Sequence, residues 1–273
     1  MLSLVPTPIG NLGDISFRAI EVLKEGELIL CEDTRVTKKL LSLLSEKYQI
    51  DFPKFEYISL HSHNEKEFVS NPNNIEQLKE KNCIYMSDAG MPCISDPGAL
   101  LVDRCINNNI EYDVLPGANA LLTAFAMSGF EQTTFSFFGF LPHKGTNRAD
   151  KLFEVLSSSL TPILYESPHR LLKLLEEIAT KEPERNLFLV KELSKKFQTT
   201  YKEKANELYA TLKNTQIKGE WVVILEPKES VCSGVITEED ILKLSLPPKQ
   251  KAKLLSKLTG KTTKEIYEEL IDS

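Results

Sequence analysis

Residues 83–122 read CIYMSDAGMPCISDPGALLVDRCINNNIEYDVLPGANALL, and they show the pattern from which the fold class follows. A continuous apolar run at Cys83–Met86 is followed by a glycine- and proline-rich loop, a helical apolar pattern over 97–107 and a second apolar run at Tyr112–Leu115. A buried strand, a helix and another buried strand in this order are typical of a sheet covered by helices. The stretch therefore predicts an α/β protein.

The same alternation extends over most of the chain. Seven further apolar runs predict strands at Leu2–Val5, Leu28–Cys31, Tyr57–Leu60, Phe135–Phe138, Ile163–Tyr165, Leu187–Val190 and Trp221–Leu225. Helical patterns lie between the strands, at about 16–24, 35–45, 65–81, 118–128, 147–157, 168–179 and 204–213. Asp96-Pro97 and Ser167-Pro168 each predict a capping residue followed by proline at the first helical position. The sheets are expected to be mostly parallel or mixed.

The length of 273 residues suits two domains of roughly 150 residues each. We predict an N-terminal α/β domain at 1–116, which ends at the Pro116-Gly117 turn. A C-terminal α/β domain follows at 117–230, and a helical tail follows at 235–273.

The tail contains two predicted helices separated by Thr259-Gly260. PPKQKAKLLSKL (247–258) places its apolar residues on one side of a helix, and Thr262 and Glu265 form a capping box for the next helix. Two short helices joined by a turn resemble a helix-turn-helix unit. A helical hairpin that docks on the body or mediates dimer contact is the alternative.

The charge of the chain is distributed unevenly. The net charge of −6 disfavours nucleic-acid binding through bulk positive charge. Residues 243–264, however, contain seven lysines and no acidic residue, so the rest of the chain carries −13. This basic segment is either a contact for nucleic acid or a solvated helix face.

The composition excludes several classes of protein. With 41% apolar and 26% charged residues the chain is neither disordered nor collagen-like. Five cysteines without a CxxC spacing predict neither a disulfide framework nor a cysteine zinc site, and they fit a reducing cytoplasm. The N-terminus lacks a signal-peptide pattern and no apolar run is long enough to span a membrane. We therefore expect a cytoplasmic protein without a membrane partner.

Polar residues follow the carboxyl ends of the predicted strands, where ligands bind in open α/β sheets. These residues are Asp14, Glu32, Asp33, Arg35, Asp88, Asp96, Glu166, Arg170, Lys191 and Glu192. The mixture suits a zwitterionic or cationic ligand, a Mg²⁺ site, or ion pairs between domains. The first loop, PTPIGNLGD (6–14), matches neither the P-loop nor the dinucleotide fingerprint, so an NTPase or Rossmann oxidoreductase is unsupported.

His61 and His63 form an HxH pair, which on a strand would place both rings on one face. Because no third ligand has a suitable spacing, we predict no metal site. His61 is instead expected to be hydrogen-bonded near the cleft.

Taken in order, seven segments closely resemble the ribosomal RNA small subunit methyltransferase I family. They are VPTPIGNLGDIS (5–16), CEDTR (31–35), SDAGMPCISDPG (87–98), LPGANALLTAFAMSG (115–129), FFGFLP (137–142), YESPHR (165–170) and KGEWVVIL (218–225). The resemblance covers residues 2 to about 228, and the tail resembles the family's C-terminal helical module.

This resemblance implies two α/β domains of the tetrapyrrole methylase type, with S-adenosylmethionine in the cleft between them. It also implies a homodimer that methylates the 2′-hydroxyl of a cytidine in the decoding region of 16S rRNA. The first loop departs from the GxGPGD of the wider fold, which argues against a tetrapyrrole substrate. A tetrapyrrole-type small-molecule methylase and a non-catalytic rRNA-binding assembly factor stay as alternatives.

By its motifs, the resemblance also implies the residues that bind the cofactor. These are Pro8, Gly10, Asp88, Ala89, Met91, Asn119, Ala120 and Glu166. Asp88, Ala89 and Met91 are expected to hold the methionine part.

Methyl transfer to a hydroxyl needs a group that accepts the hydroxyl proton. The candidates for this base or its orienting partner are Glu32, Asp33, Glu166 and Glu192, with Lys191 as a further possibility if its pKa is lowered. Arg35 and Arg170 are expected to clamp RNA phosphate. The sequence does not rank these candidates.

Overall fold

The computed structural model describes residues 1–228 and 237–271. The chain forms two compact units, Met1–Lys228 and Glu229–Ser273. The first unit contains two five-stranded sheets, as the alternation of strands and helices predicts. The predicted boundary between residues 230 and 235, and Cys232, lie outside the described residues.

The first sheet is entirely parallel and has the strand order β3-β2-β4-β1-β5. Its strands are β1 (Leu2–Leu4), β2 (Leu28–Cys31), β3 (Glu56–Ser59), β4 (Cys83–Met86) and β5 (Tyr112–Val114). The three central strands are buried along their whole length, whereas the edge strands are partly exposed. Continuous apolar runs are expected where both faces of a parallel sheet are covered.

Helices cover both faces of this sheet. They are α1 (Phe17–Glu25), α2 (Thr34–Tyr48), α3 (Glu65–Ser70), α4 (Pro72–Glu80) and α5 (Ala99–Asn107). One apolar cluster joins α1 and α2 to the face that carries Ile29 and Ile84, and another joins α3, α4 and α5 to the face that carries Leu30 and Tyr85.

The second sheet is mixed and has the order β6-β7-β10-β8-β9. Its strands are β6 (Phe135–Phe140), β7 (Thr161–Glu166), β8 (Asn186–Lys191), β9 (Thr199–Lys204) and β10 (Trp221–Leu225). Only β6 and β7 pair in parallel. One face packs on α6 (Ala120–Ser128), and the other packs on α7 (Thr146–Ser157), α8 (Leu171–Lys181) and α9 (Ala205–Leu212).

The predicted boundary at Pro116-Gly117 falls in the turn between β5 and α6. Because α6 packs on the second sheet, the chain passes from one sheet to the other at this turn. Both sheets belong to one compact unit, so the division into domains 1–116 and 117–230 stays a prediction.

Strand β9 is missing from the elements that the sequence predicts, because its segment has the composition of a loop. Its sequence TTYKEK is polar and five of its six residues are exposed. It pairs with β8 in antiparallel register, with Val190 opposite Thr200. An edge strand of this kind is stabilised by backbone pairing and lacks the apolar run that identifies a central strand.

The prediction that α5 is capped at Asp96-Pro97 was wrong. The helix begins at Ala99, and its N-cap residue Gly98 has a φ of 123° and no capping side chain. The carboxylate Oε1 of Glu65 accepts hydrogen bonds from the backbone N–H of Gly98 at 2.8 Å and of Leu101 at 3.2 Å. Glu65 therefore caps α5 from α3, which no neighbour in the sequence reveals.

The prediction for Ser167-Pro168 was also wrong, because α8 begins at Leu171. The carbonyl oxygen of Ser167 accepts hydrogen bonds from the backbone N–H of Arg170 and of Leu171, both at 3.1 Å. A turn therefore precedes the helix. The predicted helix at 65–81 is divided into α3 and α4, since the side chain of Asn71 caps a new helix that starts at Pro72.

The second unit contains α10 (Glu238–Lys243), α11 (Pro248–Thr259) and α12 (Thr263–Ile271). Its core consists of Ile241, Ala252, Leu255 and Ile266. The capping box before α12 is confirmed, because Thr262 and Glu265 exchange side-chain to backbone hydrogen bonds. In the two described ranges no helix has both the length and the apolar character needed to cross a membrane.

Candidate active site

A cavity of about 310 Å³ lies between the two sheets of the first unit, a volume within the usual range of small-molecule sites. From the first sheet and α6 its lining residues are Ile9, Ala89, Gly90, Met91, Ile94, Ser95, Asp96, Asn119 and Ala120. From the second sheet they are Phe140, Tyr165, Glu166, Ser167, Pro168, Val190, Leu193, Glu220, Trp221 and Val222. The predicted residues Ala89, Met91, Asn119, Ala120 and Glu166 therefore share one cavity.

Hydrogen bonds join the loop after β1 to the loop after β4 at the cavity wall. Thr7 and Gly90 exchange backbone hydrogen bonds at 2.9 and 3.0 Å. The Thr7 hydroxyl also donates to the carbonyl oxygen of Ser87 at 3.2 Å. Gly90 has a φ of 89°, a conformation that residues with a side chain rarely adopt. These contacts hold the backbone of Ala89 and Met91 against the cavity.

The N-terminus of α6 also lies at the cavity wall. Asn119 caps this helix, because its Oδ1 accepts a hydrogen bond from the backbone N–H of Leu122 at 3.0 Å. Asn119 and Ala120 both line the cavity. The partial positive charge of a helix N-terminus favours a carboxylate of a bound ligand at this wall.

Phe140, Tyr165 and Trp221 form an aromatic part of the wall that the sequence-based site does not include. The rings of Phe140 and Tyr165 meet edge to face, with centroids 5.8 Å apart. Burial raises the pKa of Tyr165 to about 12, so its hydroxyl stays protonated. These residues lie at the ends of strands inside the quoted segments FFGFLP, YESPHR and KGEWVVIL, and this position is the signal available in the sequence.

Three carboxyl groups, Glu32, Asp88 and Asp96, interact at the edge of the cavity. Burial and the charge of Asp96 raise the pKa of Glu32 to about 7, although the backbone N–H of Asp88 donates to its Oε1 at 3.2 Å. Burial and the charge of Asp88 raise the pKa of Asp96 to about 6. Burial also raises the pKa of Asp88. A positively charged ligand would relieve this repulsion.

Asp33 has a different environment from Glu32, although the two are adjacent. Its carboxylate caps α2 and accepts hydrogen bonds from the backbone N–H, the Nε and the Nη2 of Arg35 at 2.8, 3.0 and 2.6 Å. These bonds lower the pKa of Asp33 to about 2. The Arg35 side chain is nevertheless 89% exposed, so it can still contact a large anionic ligand.

Glu166 is fully buried and faces Arg170. Its Oε1 accepts a hydrogen bond from the backbone N–H of Ser167 at 2.8 Å and lies 3.2 Å from the Nε of Arg170. Burial raises the pKa of Glu166, while these two partners oppose the rise. The Arg170 guanidinium also donates to the carbonyl oxygen of Leu141. Arg170 therefore pairs with Glu166. Because only 16% of its side chain is exposed, Arg170 is poorly placed to contact an RNA phosphate.

Glu192 stabilises a turn at the end of β8. Its Oε1 accepts hydrogen bonds from the backbone N–H of Glu220 at 2.9 Å and from the Nζ of Lys195 at 3.0 Å. The backbone bond and Lys195 lower the pKa of Glu192, despite some burial. The neighbouring Lys191 and the distant Glu166 both stand opposite Trp221 in the sheet register.

Comparison with known proteins agrees with this architecture. Residues 1–209 match the family model for Tetrapyrrole (Corrin/Porphyrin) Methylases. A protein of Campylobacter fetus named ribosomal RNA small subunit methyltransferase I is 48% identical over 99% of this chain and all of its own length. One of the same name from Helicobacter pylori is 45% identical over 98% of this chain and 96% of its own. The chain belongs to this methyltransferase family.

A shorter relative of the same name, from Thermotoga maritima, is 40% identical to this chain. It is matched over 99% of its own length but over only 84% of this chain. The unmatched share is about as long as the C-terminal unit Glu229–Ser273. A member of the family can therefore lack a segment of that size.

Solved structures show the same fold at low sequence identity. Diphthine synthase superimposes with a TM-score of 0.62 and 13% identity, covering 83% of this chain and 90% of its own. A cobalt precorrin-4 methyltransferase superimposes with a TM-score of 0.57 and 14% identity, covering 82% and 93%. The first unit thus has the same fold as these two solved structures.

Three predicted cofactor residues do not line the cavity. Ile9 occupies the wall where Pro8 and Gly10 were expected, and Asp88 lies beside the wall residue Ala89. A Cβ on Gly10 would stand 2.3 Å from the Cγ of Lys195. Gly10 therefore allows the first loop to pack closely on the loop after β8, and packing is the role that the structure supports for it.

His61 is hydrogen-bonded through its backbone, whose N–H donates to the Oδ1 of Asn64 at 2.8 Å. His61 and His63 lie in the turn after β3, with ring centroids 6.0 Å apart. The buried Nδ1 of His61 has no hydrogen-bond partner. Within residues 1–228 and 237–271 no group of three or more His, Cys, Asp or Glu side chains is arranged to hold a metal ion.

Proposed function

We propose that this chain is an S-adenosylmethionine-dependent methyltransferase that acts on the 2′-hydroxyl of a cytidine in the decoding region of 16S rRNA. The observation that carries the proposal is the cavity between the two sheets, with carboxyl groups of raised pKa at its edge. Full-length similarity to proteins named for small-subunit rRNA methylation supports the class of substrate.

The cavity residues fit S-adenosylmethionine, which supplies a methyl group on a positively charged sulfur when bound. Asp96, together with Asp88, would balance the positive charges of the ligand. The N-terminus of α6 at Asn119 and Ala120 would receive its carboxylate. The aromatic wall offers apolar surface for a purine ring.

Among the candidate bases, the electrostatic environment favours Glu32. Its pKa of about 7 lies near a physiological pH, where a general base is most effective. The pKa values of Asp33 and Glu192 are lowered by their cationic and N–H partners, which makes these carboxylates weaker bases. Glu166 is fully buried against Arg170. We therefore infer that Glu32 accepts the proton that the ribose hydroxyl loses.

Positive charge in the C-terminal unit supports a role for this unit in RNA binding. Lys249, Lys253 and Lys257 are all exposed and lie four residues apart on α11. A helix rises about 6 Å over four residues, so the three ammonium groups form one stripe. We propose that this stripe binds RNA phosphates. That role would explain why the tail is basic although the rest of the chain is acidic.

The experiment that tests the function is mass mapping of 2′-O-methylation on 16S rRNA from cells with and without this protein. We expect one cytidine in the decoding region to lose its methyl group in the deletion strain. The purified protein, S-adenosylmethionine and either free 16S rRNA or 30S subunits should restore it. Unchanged methylation at every cytidine would refute the proposal.

Two further measurements address the alternatives. Calorimetry that detects no binding of S-adenosylmethionine would favour a non-catalytic assembly factor. Spectral changes with precorrin-like compounds would favour a tetrapyrrole methylase. We also propose that the protein acts in the cytoplasm as a homodimer, and sedimentation equilibrium at micromolar concentration tests the oligomeric state.

A further inference from the structure

The loop 192–198 connects β8 to β9 beside the cavity, and its backbone is unusually constrained. Glu192 and Ser194 have φ values of 51° and 65° although neither is glycine. Non-glycine residues in this conformation persist only where surrounding contacts impose it, and they concentrate at functional sites. The loop therefore has one defined shape at the edge of the active site.

Contacts from several directions impose this shape. The Ser194 hydroxyl donates to a carboxylate oxygen of Asp14 in the first loop, and its backbone N–H donates to the Oε1 of Gln198 at 2.6 Å. Lys195 donates to Glu192 and to Glu220 at 3.0 and 2.8 Å. The side chain of Leu193 forms part of the cavity wall. Leu193, Ser194 and Lys195 are thus held beside the cavity wall, directly before the tip of the loop.

The tip of this loop presents an aromatic ring to solvent. Phe197 is 70% exposed, and the Nζ of Lys196 lies 5.6 Å from the centre of its ring. Of the four lysines in the segment 191–202, Lys195 is paired with Glu192 and Glu220, whereas Lys196 is the one whose ammonium group lies beside this ring. An exposed aromatic ring with an adjacent ammonium group is a combination that suits the binding of single-stranded nucleic acid.

We propose that Phe197 is a substrate-binding residue, which stacks on an unpaired base of the RNA next to the target nucleotide while Lys196 contacts a phosphate. This inference rests on the proposed function and extends it to the class of RNA structure recognised, a single-stranded segment. Because these contacts hold the loop beside the cavity, stacking at its tip would keep the adjoining ribose at the mouth of the cavity. Any base offers a face for stacking, so this contact fixes position and leaves sequence selection to other residues.

The chain offers a matched control for this residue. Phe153 is also 70% exposed, but it lies on α7, which packs on the face of the second sheet opposite to α6. Substitution of either residue by alanine removes the same exposed ring. Only the substitution at Phe197 is expected to affect RNA, and Phe197→Tyr, which keeps a ring of the same shape, should retain the wild-type behaviour.

The test measures binding of the wild-type protein and the three variants to a 16S rRNA fragment that carries 2-aminopurine beside the target cytidine. We expect Phe197→Ala to weaken RNA binding by about tenfold to a hundredfold and to remove the quenching of 2-aminopurine fluorescence. The kcat/KM for RNA should fall by a similar factor, while the affinity for S-adenosylmethionine stays unchanged. Phe153→Ala should bind as the wild-type protein does.

Two results would overturn the proposal. One is an RNA affinity of Phe197→Ala within twofold of wild type. The other is dissociation of a wild-type dimer into monomers by Phe197→Ala, which would assign the ring to contact with a second copy of the chain. If the wild-type protein itself fails to methylate 16S rRNA, the proposed function fails instead, and the binding data still decide whether Phe197 contacts RNA.

Discussion

The backbone N–H of Asp88 donates a hydrogen bond to the Oε1 of Glu32 at 3.2 Å, and Asp88 returns a bond by accepting from the backbone N–H of Asp33. This reciprocal contact joins the loop after β2 to the loop after β4 at the cavity edge. It brings Glu32 close to carboxylates instead of cations, and burial then keeps its pKa near 7. The consequence is a carboxyl group that exchanges its proton at physiological pH.

The first prediction concerns Glu32 as the base. Glu32→Gln should lower kcat by about a hundredfold to ten-thousandfold, because general-base catalysis typically contributes that much. The wild-type rate should rise with pH up to about 7, since only the deprotonated carboxylate accepts a proton, and this rise should disappear in the variant. Single-turnover rates between pH 5 and 9 measure both effects. A variant with a wild-type rate and pH profile would exclude Glu32.

The second prediction concerns the stability cost of Asp96. Its pKa is about 6 in the folded protein against an ordinary value of 3.8, so the folded state holds the proton more tightly than the unfolded chain. The free-energy cost of placing Asp96 in the folded protein is absent below pH 3.8, the ordinary pKa. It increases as the pH rises from there through about 6. Asp96→Asn should therefore raise the free energy of unfolding by about 1 kcal/mol at pH 8, allowing for solvent screening, and have little effect near pH 3.5. Urea denaturation at the two pH values checks this.

The third prediction concerns the buried pair of Glu166 and Arg170. Arg170→Met leaves the fully buried Glu166 without its cation, and the free energy of unfolding should fall by about 3–5 kcal/mol. The double variant Glu166→Gln with Arg170→Met removes the buried charge and should recover part of this stability. Thermal denaturation of the two variants measures the difference. Equal stability of the two would show that Glu166 does not depend on Arg170 for its charge balance.

The fourth prediction concerns the close approach of Gly10 to Lys195. Gly10→Ala should destabilise the protein by about 1–3 kcal/mol, because the new Cβ overlaps the Lys195 side chain. Gly13→Ala is the matched control in the same loop, since the nearest atom to its Cβ would be the Asn11 Oδ1 at 3.2 Å. The control should cost clearly less in urea denaturation. If both variants are equally stable, the packing role of Gly10 is wrong.

The fifth prediction concerns the stripe of lysines on α11. Substitution of Lys249, Lys253 and Lys257 by glutamine should reduce the slope of log K against log salt for RNA binding by about 2, because each phosphate neutralised on single-stranded RNA adds about 0.7 to that slope. Affinity for S-adenosylmethionine should not change. Lys243 and Lys261, which pair with glutamates, provide the control substitutions. An unchanged slope in the triple variant would identify the stripe as a solvated helix face.

The local sequence pattern was sufficient to predict the bounds of strands that are buried on both faces. The predicted bounds of Leu28–Cys31, Cys83–Met86 and Trp221–Leu225 are the observed ones, because a central strand needs an unbroken apolar run. In the first sheet, the strand–helix alternation also placed the polar loops after β2 and β4 at one end of the sheet, since parallel strands end on the same side. The ordered loop motifs were specific enough to indicate the family.

The local sequence pattern failed to predict elements whose position depends on a contact with a distant residue. The start of α5 depends on Glu65, which is 33 residues from Gly98 along the chain. Strand β9 depends on pairing with β8 and has almost no apolar signal of its own. Both features are properties of contacts between segments, and a window of neighbouring residues does not contain them.

The sequence by itself determined the α/β class, the central strands and the membership of a methyltransferase family. It also showed which loops after the strands carry carboxylates. Only the tertiary structure separated those carboxylates by their environment. Asp33 and Glu32 are neighbours in the chain, yet Arg35 lowers the pKa of one while burial beside Asp96 raises that of the other. A pKa depends on solvent exclusion and on charges a few ångströms away in space, and folding alone brings those together.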